Sequence, residues 1–295
     1  MTSFGSGCGG QAAGTPAPAL QILIQVNNSV ERDWLARTLN DGHSRRNSKH
    51  LTETAIEHAL RCWAQRTGLA EADLAALRSL PFTRRAVERD AFIVREGEEP
   101  GWCSLILEGC AFRQKVVRNG SRQIISFHFA GEFIDLQNCL LATNDHGVQA
   151  LGTCSLAVVP KSALQALVVE RPSLARAAWF DTLLEGAMIR EWVVNVGRRN
   201  ARGRIAHLLC ELAMRLDEGT EDGRVYLLPL TQEHIADATG LTAVHTNRTI
   251  QALRREGLIS FAYGRLVVHD WGALRIIGDF SDRYLHRGAS HSRQS

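Results

Sequence analysis

The segment Leu230–Ile259 holds the side chains best suited to chemistry, because three arginines, two histidines and an asparagine lie close together there. It reads LTQEHIADATGLTAVHTNRTIQALRREGLI, and its second half carries Arg248, Arg254 and Arg255 with no acidic residue from Thr242 onward to Arg255. Guanidinium groups bind phosphates and the edge of guanine, and amides bind adenine. These residue types favour nucleic acid as the partner, although a basic helix face can also simply be solvated.

Two helix starts and one tight turn shape this segment. Thr231 and Thr242 are good N-cap residues, with hydroxyls that accept a backbone N–H at the start of helices running to Ala238 and Arg255. Gly240 allows a left-handed turn between the two helices. The pattern predicts a helix-turn-helix with the arginine-bearing helix second.

A hairpin follows the two helices. The run LISFAYGRLVV, from Leu258 to Val268, predicts two short strands joined near Tyr263-Gly264. Arg265 then lies at the hairpin, where it can meet phosphate. A helix-turn-helix followed by such a hairpin is a winged helix.

Short strands dominate the chain between Phe82 and Pro160. Turn signals separate them, of which Asn119-Gly120 is the strongest hairpin signal. Many short strands with regular turns indicate a compact sandwich-like or barrel-like unit. The predicted strands are Ala91–Arg95, Ser104–Leu107, Ala111–Val117, Gln123–Phe129 and Ser155–Val159.

Helices precede and follow these strands. Residues Leu51–Arg78 show helical spacing with a break at Gly68. Pro172 opens a helix that can run to about Arg199, and its apolar residues cover more than one narrow stripe. That surplus would let the helix pack on its own domain and on a second copy of itself; a helix buried within a monomer is the alternative. Another helix is predicted at Arg202–Leu216.

Composition agrees with a globular protein of about two domains. The 295 residues are 45% hydrophobic and 22% charged with a net charge of +3, which excludes a disordered or fibrous chain and a uniformly basic coat. The start of the chain, rich in Gly, Ala, Ser and Pro, predicts a flexible tail and no signal peptide. No run approaches the ~20 apolar residues of a membrane span. We therefore expect a cytoplasmic protein with free thiols.

The order of strands, long helix and winged helix resembles the Crp/Fnr family of bacterial transcription regulators. The motifs that carry the resemblance are the helix-turn-helix, the glycines Gly97, Gly109 and Gly131, and the segment GEFIDLQ at Gly131–Gln137. The run REWVVNVGRRNARGRIAHLLCEL, which starts at Arg190, also resembles a subgroup of these regulators.

The resemblance implies an α+β fold with an N-terminal β-roll of the cyclic-nucleotide-binding type, a dimerisation helix and a C-terminal winged helix. It implies a homodimer that binds palindromic double-stranded DNA, with half-sites about 34 Å apart, and that contacts RNA polymerase. The expected parts are a flexible extension (1–50), a β-roll with leading helices (51–171), the dimerisation helix (172–200), the winged helix (201–275) and a C-terminal tail (276–295).

The caps, the wing and the family's base-reading positions give a set of predicted DNA contacts. Arg248 matches the family's guanine-binding arginine, and Asn247 could read adenine. Val244 stands where the founding members carry a glutamate that contacts cytosine, and valine accepts no hydrogen bond from the cytosine amino group. The operator should therefore differ from theirs. The full set is Thr231, Thr242, Ala243, Val244, His245, Asn247, Arg248, Arg254 and Arg265.

The same resemblance places an effector pocket in the β-roll. The family's cyclic-AMP site needs a Gly-Glu-Leu segment and an Arg-Ser/Thr-Ala triplet, but the matching positions read Asp-Leu-Gln at 135–137 and His-Gly-Val at 146–148. Leu136 accepts no hydrogen bond, His146 is mostly neutral near pH 7, and Asp145 would repel a phosphodiester. We expect no tight cyclic-AMP binding and leave another small ligand open. The predicted pocket residues are Gly131, Glu132, Phe133, Asp135, Leu136, Gln137, His146, Gly147 and Val148.

Other members of this family sense signals through an iron–sulfur cluster, haem or reactive thiols, and each needs particular ligand residues. An iron–sulfur cluster needs four thiolates, usually with three close together near the N-terminus, and the cysteines show no such triplet. No cofactor or metal site is therefore predicted, while haem at His128 or His146 and a redox role for Cys139 or Cys154 stay open. The seven cysteines are Cys8, Cys62, Cys103, Cys110, Cys139, Cys154 and Cys210.

An enzyme is not predicted. The sequence shows no metal-spaced His/Glu pair, phosphate loop or nucleophile elbow. A winged helix that binds protein instead of DNA is the least favoured alternative, because such a face would normally carry more exposed apolar residues.

Overall fold

The computed structural model describes residues 45–216 and 222–287, with side chains from Glu53 onward. Residues 1–44 of the predicted extension lie outside the described residues. The first described helix begins at Arg45, six residues before the predicted start of the leading helices at residue 51. None of the helices in the described ranges is long and apolar enough to cross a membrane.

Helices and strands follow the predicted order, with the strands grouped in the first half and at the wing. The helices are α1 (Arg45–Thr67), α2 (Glu71–Arg78), α3 (Lys161–Glu170), α4 (Pro172–Arg198), α5 (Ala201–Leu216), α6 (Gln232–Thr239), α7 (Ala243–Arg255) and α8 (Trp271–Ile277), with 3₁₀ helices at Leu136–Cys139 and Asp282–Leu285. The strands are β1 (Thr83–Val87), β2 (Phe92–Val94), β3 (Trp102–Glu108), β4 (Cys110–Val116), β5 (Arg122–Phe129), β6 (Gly147–Ala150), β7 (Cys154–Pro160), β8 (Arg224–Leu227), β9 (Ile259–Ala262) and β10 (Arg265–Val268).

Two facing sheets form the β-roll. One has the order β1-β7-β3 and the other β2-β6-β4-β5, with neighbouring strands antiparallel. Apolar side chains between the sheets, among them Ile106, Ile134 and Leu156, are fully buried. All five predicted strands are present. Strands β1 and β6 were not predicted, because TRRAV is too charged and GVQA too short to show an apolar alternation.

Strand β4 is covered on both sides. Ala111 faces the interior of the β-roll, while Phe112 packs in a cluster with residues of the winged helix such as Ile235 and Leu253. A strand buried on both faces reads as a continuous buried run instead of an alternating one. The β-roll and the winged helix therefore share a hydrophobic core.

The winged helix is built as predicted. Helix α6 starts at the Thr231 cap and ends at Gly240, which has a left-handed φ of 64°. Strands β8, β9 and β10 form a small sheet of order β8-β10-β9. The chain reverses between β9 and β10 at Tyr263 (φ 52°) and Gly264 (φ 72°). Two successive residues with positive φ are typical of a tight two-residue hairpin turn.

The C-terminal segment is packed, so the prediction of a tail beginning at residue 276 is wrong for residues 276–287. Helix α8 continues to Ile277, and Phe280 and Leu285 are buried in the core of the winged helix. The Tyr284 hydroxyl donates to buried Glu211 at 2.7 Å. These apolar side chains are few and widely spaced, which hid their role in the sequence.

Candidate nucleic-acid interface and sensor interior

Helix α7 presents a continuous exposed face. The Thr242 hydroxyl caps it by accepting a hydrogen bond from the His245 backbone N–H at 3.2 Å. Buried Thr246, Ile250 and Leu253 hold the opposite face against the domain. The predicted base-reading residues all lie on the open face: Ala243, Val244, His245, Asn247 and Arg248 are exposed.

The cations of this surface have no acidic partner within the molecule as described. Across residues 53–216 and 222–287, no carboxylate lies within ion-pair distance of Arg248, Arg254 or Arg265. Glu256, which follows α7, pairs with Arg202 instead. Guanidinium groups without an internal partner are available to phosphate oxygens and base edges.

Asn247 has a neighbour that sequence reasoning missed. Its side-chain N–H donates to the side-chain amide oxygen of Gln232 at 2.7 Å. Gln232 is the first residue of α6, directly after the Thr231 cap. The sequence feature that could have identified Gln232 is its position at the start of α6, because the starts of the two helices of a helix-turn-helix both face the target. Gln232 therefore orients the Asn247 amide while leaving its oxygen and one N–H free.

The wing carries its charge at the tip. Tyr263 is fully exposed, and Arg265 begins β10 on the solvent side. The Gly264 carbonyl accepts a hydrogen bond from the Leu228 backbone N–H at 2.7 Å, which ties the turn to the end of β8. Thus both the wing arginine and the α7 arginines are held on regular elements and remain open to solvent.

The two halves of the predicted effector pocket meet inside the β-roll. The side-chain nitrogens of Gln137 and His146 lie 3.5 Å apart. Arg113 joins them by donating to the Gln137 side-chain oxygen at 3.3 Å and to the Ile134 backbone oxygen at 2.6 Å. Arg113 also forms an ion pair with Glu185 of α4. The space is thus filled by a ring of polar side chains that connects the β-roll to the long helix.

Arg113 is a buried cation that the sequence analysis did not find. It comes from β4, where Ala111 pairs with Ala150 and Arg113 with Val148, which places both side chains on the interior face. The signal was its even spacing from Ala111. Burial lowers the pKa of Arg113 to about 10, so the guanidinium is still charged at pH 7.

The other predicted pocket residues have structural partners. Gly131 has a φ of 84°, and a Cβ there would lie 2.7 Å from Cys62 Cβ, so no other residue fits. Phe133 stacks edge-on against Trp63 at 5.2 Å. Asp135 is fully buried and accepts a hydrogen bond from the Ser104 backbone N–H at 2.6 Å. Gly147 and Val148 lie in β6, Leu136 is partly buried beside α3, and Glu132 belongs to the ion-pair network described next.

An ion-pair network links the β-roll to the winged helix. Arg215 of α5 donates to Glu132 at 3.1 Å, and Arg66 of α1 lies 3.5 Å from the same carboxylate. Burial alone would raise the pKa of Glu132, but Arg215 and the other neighbouring cations outweigh it and hold the pKa well below its usual range. A cavity of about 140 Å³ adjoins the network, lined also by Asp181 and Glu185 of α4.

Two buried groups of the β-roll have strongly shifted pKa values. Burial lowers the pKa of His128 to about 4, which leaves it neutral at pH 7. Burial raises the pKa of Asp135 to about 7. His128 Nε2 is hydrogen-bonded to the Ser126 hydroxyl at 2.9 Å and its Nδ1 lies 3.3 Å from the Glu132 carboxylate, so both ring nitrogens are engaged. Within the described ranges, no three His, Cys, Asp or Glu side chains group as metal ligands.

Helix α4 carries an apolar stripe that no other element among residues 53–216 and 222–287 covers. Trp179, Leu183 and Val193 are between 52% and 68% exposed. Trp179 and Leu183 are four residues apart, and steps of three, four and three residues lead from Leu183 through positions 186 and 190 to Val193. Alternating steps of three and four residues are typical of the seam between two helices packed side by side. The opposite face, with Leu184, Met188 and Trp192, is buried in the protomer.

Comparisons with known proteins match both halves of the chain. Residues 84–171 match the model of the cyclic nucleotide-binding domain, and residues 203–277 match that of the Crp-like helix-turn-helix domain. A probable transcriptional activator of Rhizobium leguminosarum bv. viciae is 29% identical over 185 residues, covering 63% of this chain and 76% of that protein.

Further relatives agree. The nitrogen fixation regulation protein FixK of Bradyrhizobium diazoefficiens is 28% identical over 165 residues, covering 56% of this chain and 69% of that protein. The solved structure of FixK2 from Bradyrhizobium japonicum superposes with a TM-score of 0.62 at 25% identity, covering 67% of this chain and 98% of that one. Because both domains match in the observed order, the chain belongs to the Crp/Fnr family of transcription regulators.

Proposed function

We propose that this regulator binds a two-fold-symmetric DNA operator as a homodimer, with α7 of each protomer in the major groove. The observation that carries the proposal is the exposed face of α7, on which Arg248 and Arg254 meet no carboxylate among the described residues. Arg248 would bind guanine, Asn247 held by Gln232 would bind adenine, and Arg265 would bind phosphate.

The uncovered stripe of α4 supports the homodimer. Covering Trp179, Leu183 and Val193 with the same stripe of a second copy would remove them from water, and a two-fold axis along α4 is self-complementary. The spacing of the two recognition helices would follow from that axis. Half-sites about one helical turn apart are then expected.

The proposed signal path runs from the β-roll through α4 to the winged helix. A change near Arg113 would shift Glu185, and the Glu132–Arg215 pair would carry the shift to α5. Such a change selects between two orientations of the recognition helices. Contact with RNA polymerase and action in the bacterial cytoplasm belong to the same proposal.

Cyclic AMP is not proposed as the signal. The one buried cation that could neutralise its phosphate in the space described, Arg113, is already paired with Glu185, and Leu136 offers no hydrogen bond to a ribose hydroxyl. Calorimetric titration with cyclic AMP at millimolar concentration should show no heat of binding beyond dilution. Native mass spectrometry with a visible absorption spectrum of the fresh protein should show a dimer without haem or cluster.

Selection from duplexes with a random central region tests the DNA proposal directly. The bound pool should converge on a palindrome, and footprinting should protect two half-sites on one face of the duplex. Affinity should fall steeply as salt rises, since phosphate contacts release counterions. A pool that stays random, or binding that does not depend on salt, would contradict the proposal.

Val193→Glu tests the dimer independently of DNA. Val193 is 68% exposed in the protomer, so a charge there should leave the fold intact while disrupting a seam of paired α4 helices. Sedimentation should show the wild type as a dimer and the variant as a monomer. Val169→Glu makes the same substitution outside α4, at an 84% exposed position of α3, and as the matched control it should remain dimeric.

A further inference from the structure

Two cysteine thiols meet under the surface of the β-roll. The sulfur of Cys103, near the start of β3, lies 3.6 Å from the sulfur of Cys139, the last residue of the 3₁₀ helix. Cys103 is fully buried, whereas Cys139 is partly exposed and precedes the solvent-exposed Leu140. A disulfide bond is about 2.05 Å long, so the sulfurs need to approach by about 1.5 Å.

The surroundings of the two thiols shift their pKa values in opposite directions. Either thiol can donate across this contact, and the Asp135 backbone oxygen, 3.8 Å away, is a second acceptor for the Cys103 S–H. The pairing lowers the pKa of Cys139 and raises that of Cys103, and burial and the charge of Asp135 add to the rise at Cys103. Burial and Asp135 raise the pKa of Cys139 and Lys161 lowers it, and with the Cys103 contact the pKa lies below its ordinary value. Thiolates, not thiols, are the nucleophiles, so the exposed member of the pair is also the reactive one. Buried Cys110 and Cys154, by contrast, have their pKa values raised to about 12 by burial.

We propose that Cys103 and Cys139 form a reversible intramolecular disulfide that makes the β-roll responsive to hydroperoxides. This inference deepens the proposed function. The expected effect of the disulfide on DNA binding rests on that function, whereas formation of the disulfide does not. It assigns the regulation to a pair of thiols that the sequence places 36 positions apart and that the fold brings together.

The reaction balances with a hydroperoxide as the oxidant. The Cys139 thiolate attacks the terminal oxygen of ROOH, the O–O bond breaks, and the alkoxide takes a proton and leaves as ROH, which gives a sulfenic acid at Cys139. Cys103 then loses its proton, and its sulfur attacks the Cys139 sulfur. The S–O bond breaks, and hydroxide leaves with that proton as water. Two electrons pass from the thiols to the peroxide, and a dithiol reductant reverses the step by exchange.

The position of Cys139 couples this bond to the long helix. The 3₁₀ helix packs on β3, on α3 and on α4. It also carries Gln137, which accepts a hydrogen bond from Arg113, whose guanidinium is paired with Glu185 of α4. Drawing Cys139 toward β3 would move Gln137 relative to Arg113. The disulfide would therefore act at the point where the β-roll meets α4.

Peptide mapping of the full chain tests the pair itself. The reduced protein is treated with an equimolar amount of hydrogen peroxide, alkylated and digested without reductant. Wild type and Cys62→Ser, a partly exposed cysteine outside the pair, should give one peptide that links Cys103 to Cys139 and disappears with dithiothreitol. In Cys103→Ser, dimedone should label Cys139 as a sulfenic acid. Free thiols at both positions, or a link to any other cysteine, would overturn the proposal.

Hydrogen exchange on the same samples tests the coupling. Oxidation should change amide exchange at residues 136–141 and along α4 at 181–188 by at least about threefold, and Cys139→Ser should abolish both changes. A disulfide that leaves α4 unchanged would overturn the coupling. A selected duplex should then be bound with at least about threefold different affinity by the two forms. If neither form binds DNA, the proposed function fails, while peptide mapping and exchange still decide the thiol pair.

Discussion

The arginines of the recognition helix and those of the β-roll interior have opposite surroundings. Arg248 and Arg254 are exposed and meet no carboxylate in the described structure, whereas Arg113 and Arg215 are buried and each is paired with a glutamate. An exposed, unpaired cation costs the fold little and is open to an external anion. A buried cation depends on its partner, because an uncompensated charge away from water is expensive. The same residue type thus serves binding at one end and internal linkage at the other.

Removing a carboxylate from the interior should have the largest effect. Glu132→Gln leaves the buried Arg215 guanidinium without its main partner, and we expect a loss of about 3 kcal/mol in the free energy of unfolding, at the lower end for buried pairs. The reason for the lower end is Glu211, which stays 3.7 Å from Arg215. Urea denaturation gives the measurement.

The matched control is the exposed pair of Arg84 and Glu108, 3.5 Å apart with both side chains 38% exposed. Glu108→Gln should cost less than about 1 kcal/mol, as surface pairs do. Equal losses for the two glutamates would contradict the distinction between the two settings.

Removing a cation from the recognition helix should act on binding and not on stability. Arg248→Ala should weaken binding to the selected operator by about 1–3 kcal/mol, because a guanine loses its bidentate partner, while binding to unrelated duplex changes little. The unfolding curve should stay within experimental error of the wild type. Arg95→Ala, an exposed arginine of the β-roll, should leave the operator affinity unchanged.

Lowering the pH should change the free energy of unfolding through buried titratable groups. Burial lowers the pKa values of His128 and His207 to about 4, so the unfolded chain binds more protons than the native one between pH 6.5 and 4, and stability falls as the pH drops through that window. Asp135, with its pKa raised to about 7 by burial, acts in the opposite direction, because its proton is bound in the native state. The two histidines therefore make stability rise with pH in that window, and Asp135 reduces the slope.

Substitutions sharpen that expectation in both directions. His128→Asn should flatten the pH dependence of the unfolding free energy between pH 5 and 6.5, and Asp135→Asn should steepen it. A slope that neither variant changes would mean that other groups control the pH dependence.

The smallest effect is expected at the wing. Arg265→Ala removes one phosphate contact, which should weaken binding to all duplexes alike and reduce the slope of log affinity against log salt by about 1. Fluorescence anisotropy over a salt series gives the slope. A loss confined to the selected operator would instead mean that Arg265 reads a base.

The winged helix could be predicted from sequence almost residue by residue, and the reasons are local. The Thr231 and Thr242 caps, the left-handed Gly240 and the Tyr263-Gly264 turn each act within a few residues of the chain. Exposure of the base-reading face follows directly from helical periodicity. On the base-reading face only Gln232 was missed, because its role depends on a contact with the other helix.

The sensor interior could be predicted only in outline. Its five main strands followed from apolar runs, but Arg113 meets Gln137 and Glu185 across separations that no local pattern encodes. The approach of Cys103 to Cys139 is likewise a product of tertiary packing. The packed C-terminal segment, with Phe280 and Leu285 buried, was missed for the same reason.

The two-sided burial of β4 has a consequence for engineering. A chimaera that joined the β-roll of one regulator to the winged helix of another at the start of α5 would separate Phe112, Ile124 and Phe127 from the apolar side chains they cover. Both halves of such a chimaera would expose apolar side chains to water, and we expect its solubility to fall. The exchangeable module is therefore the winged helix together with the outer faces of β4 and β5, and graft boundaries drawn from sequence motifs alone would cut through a single core.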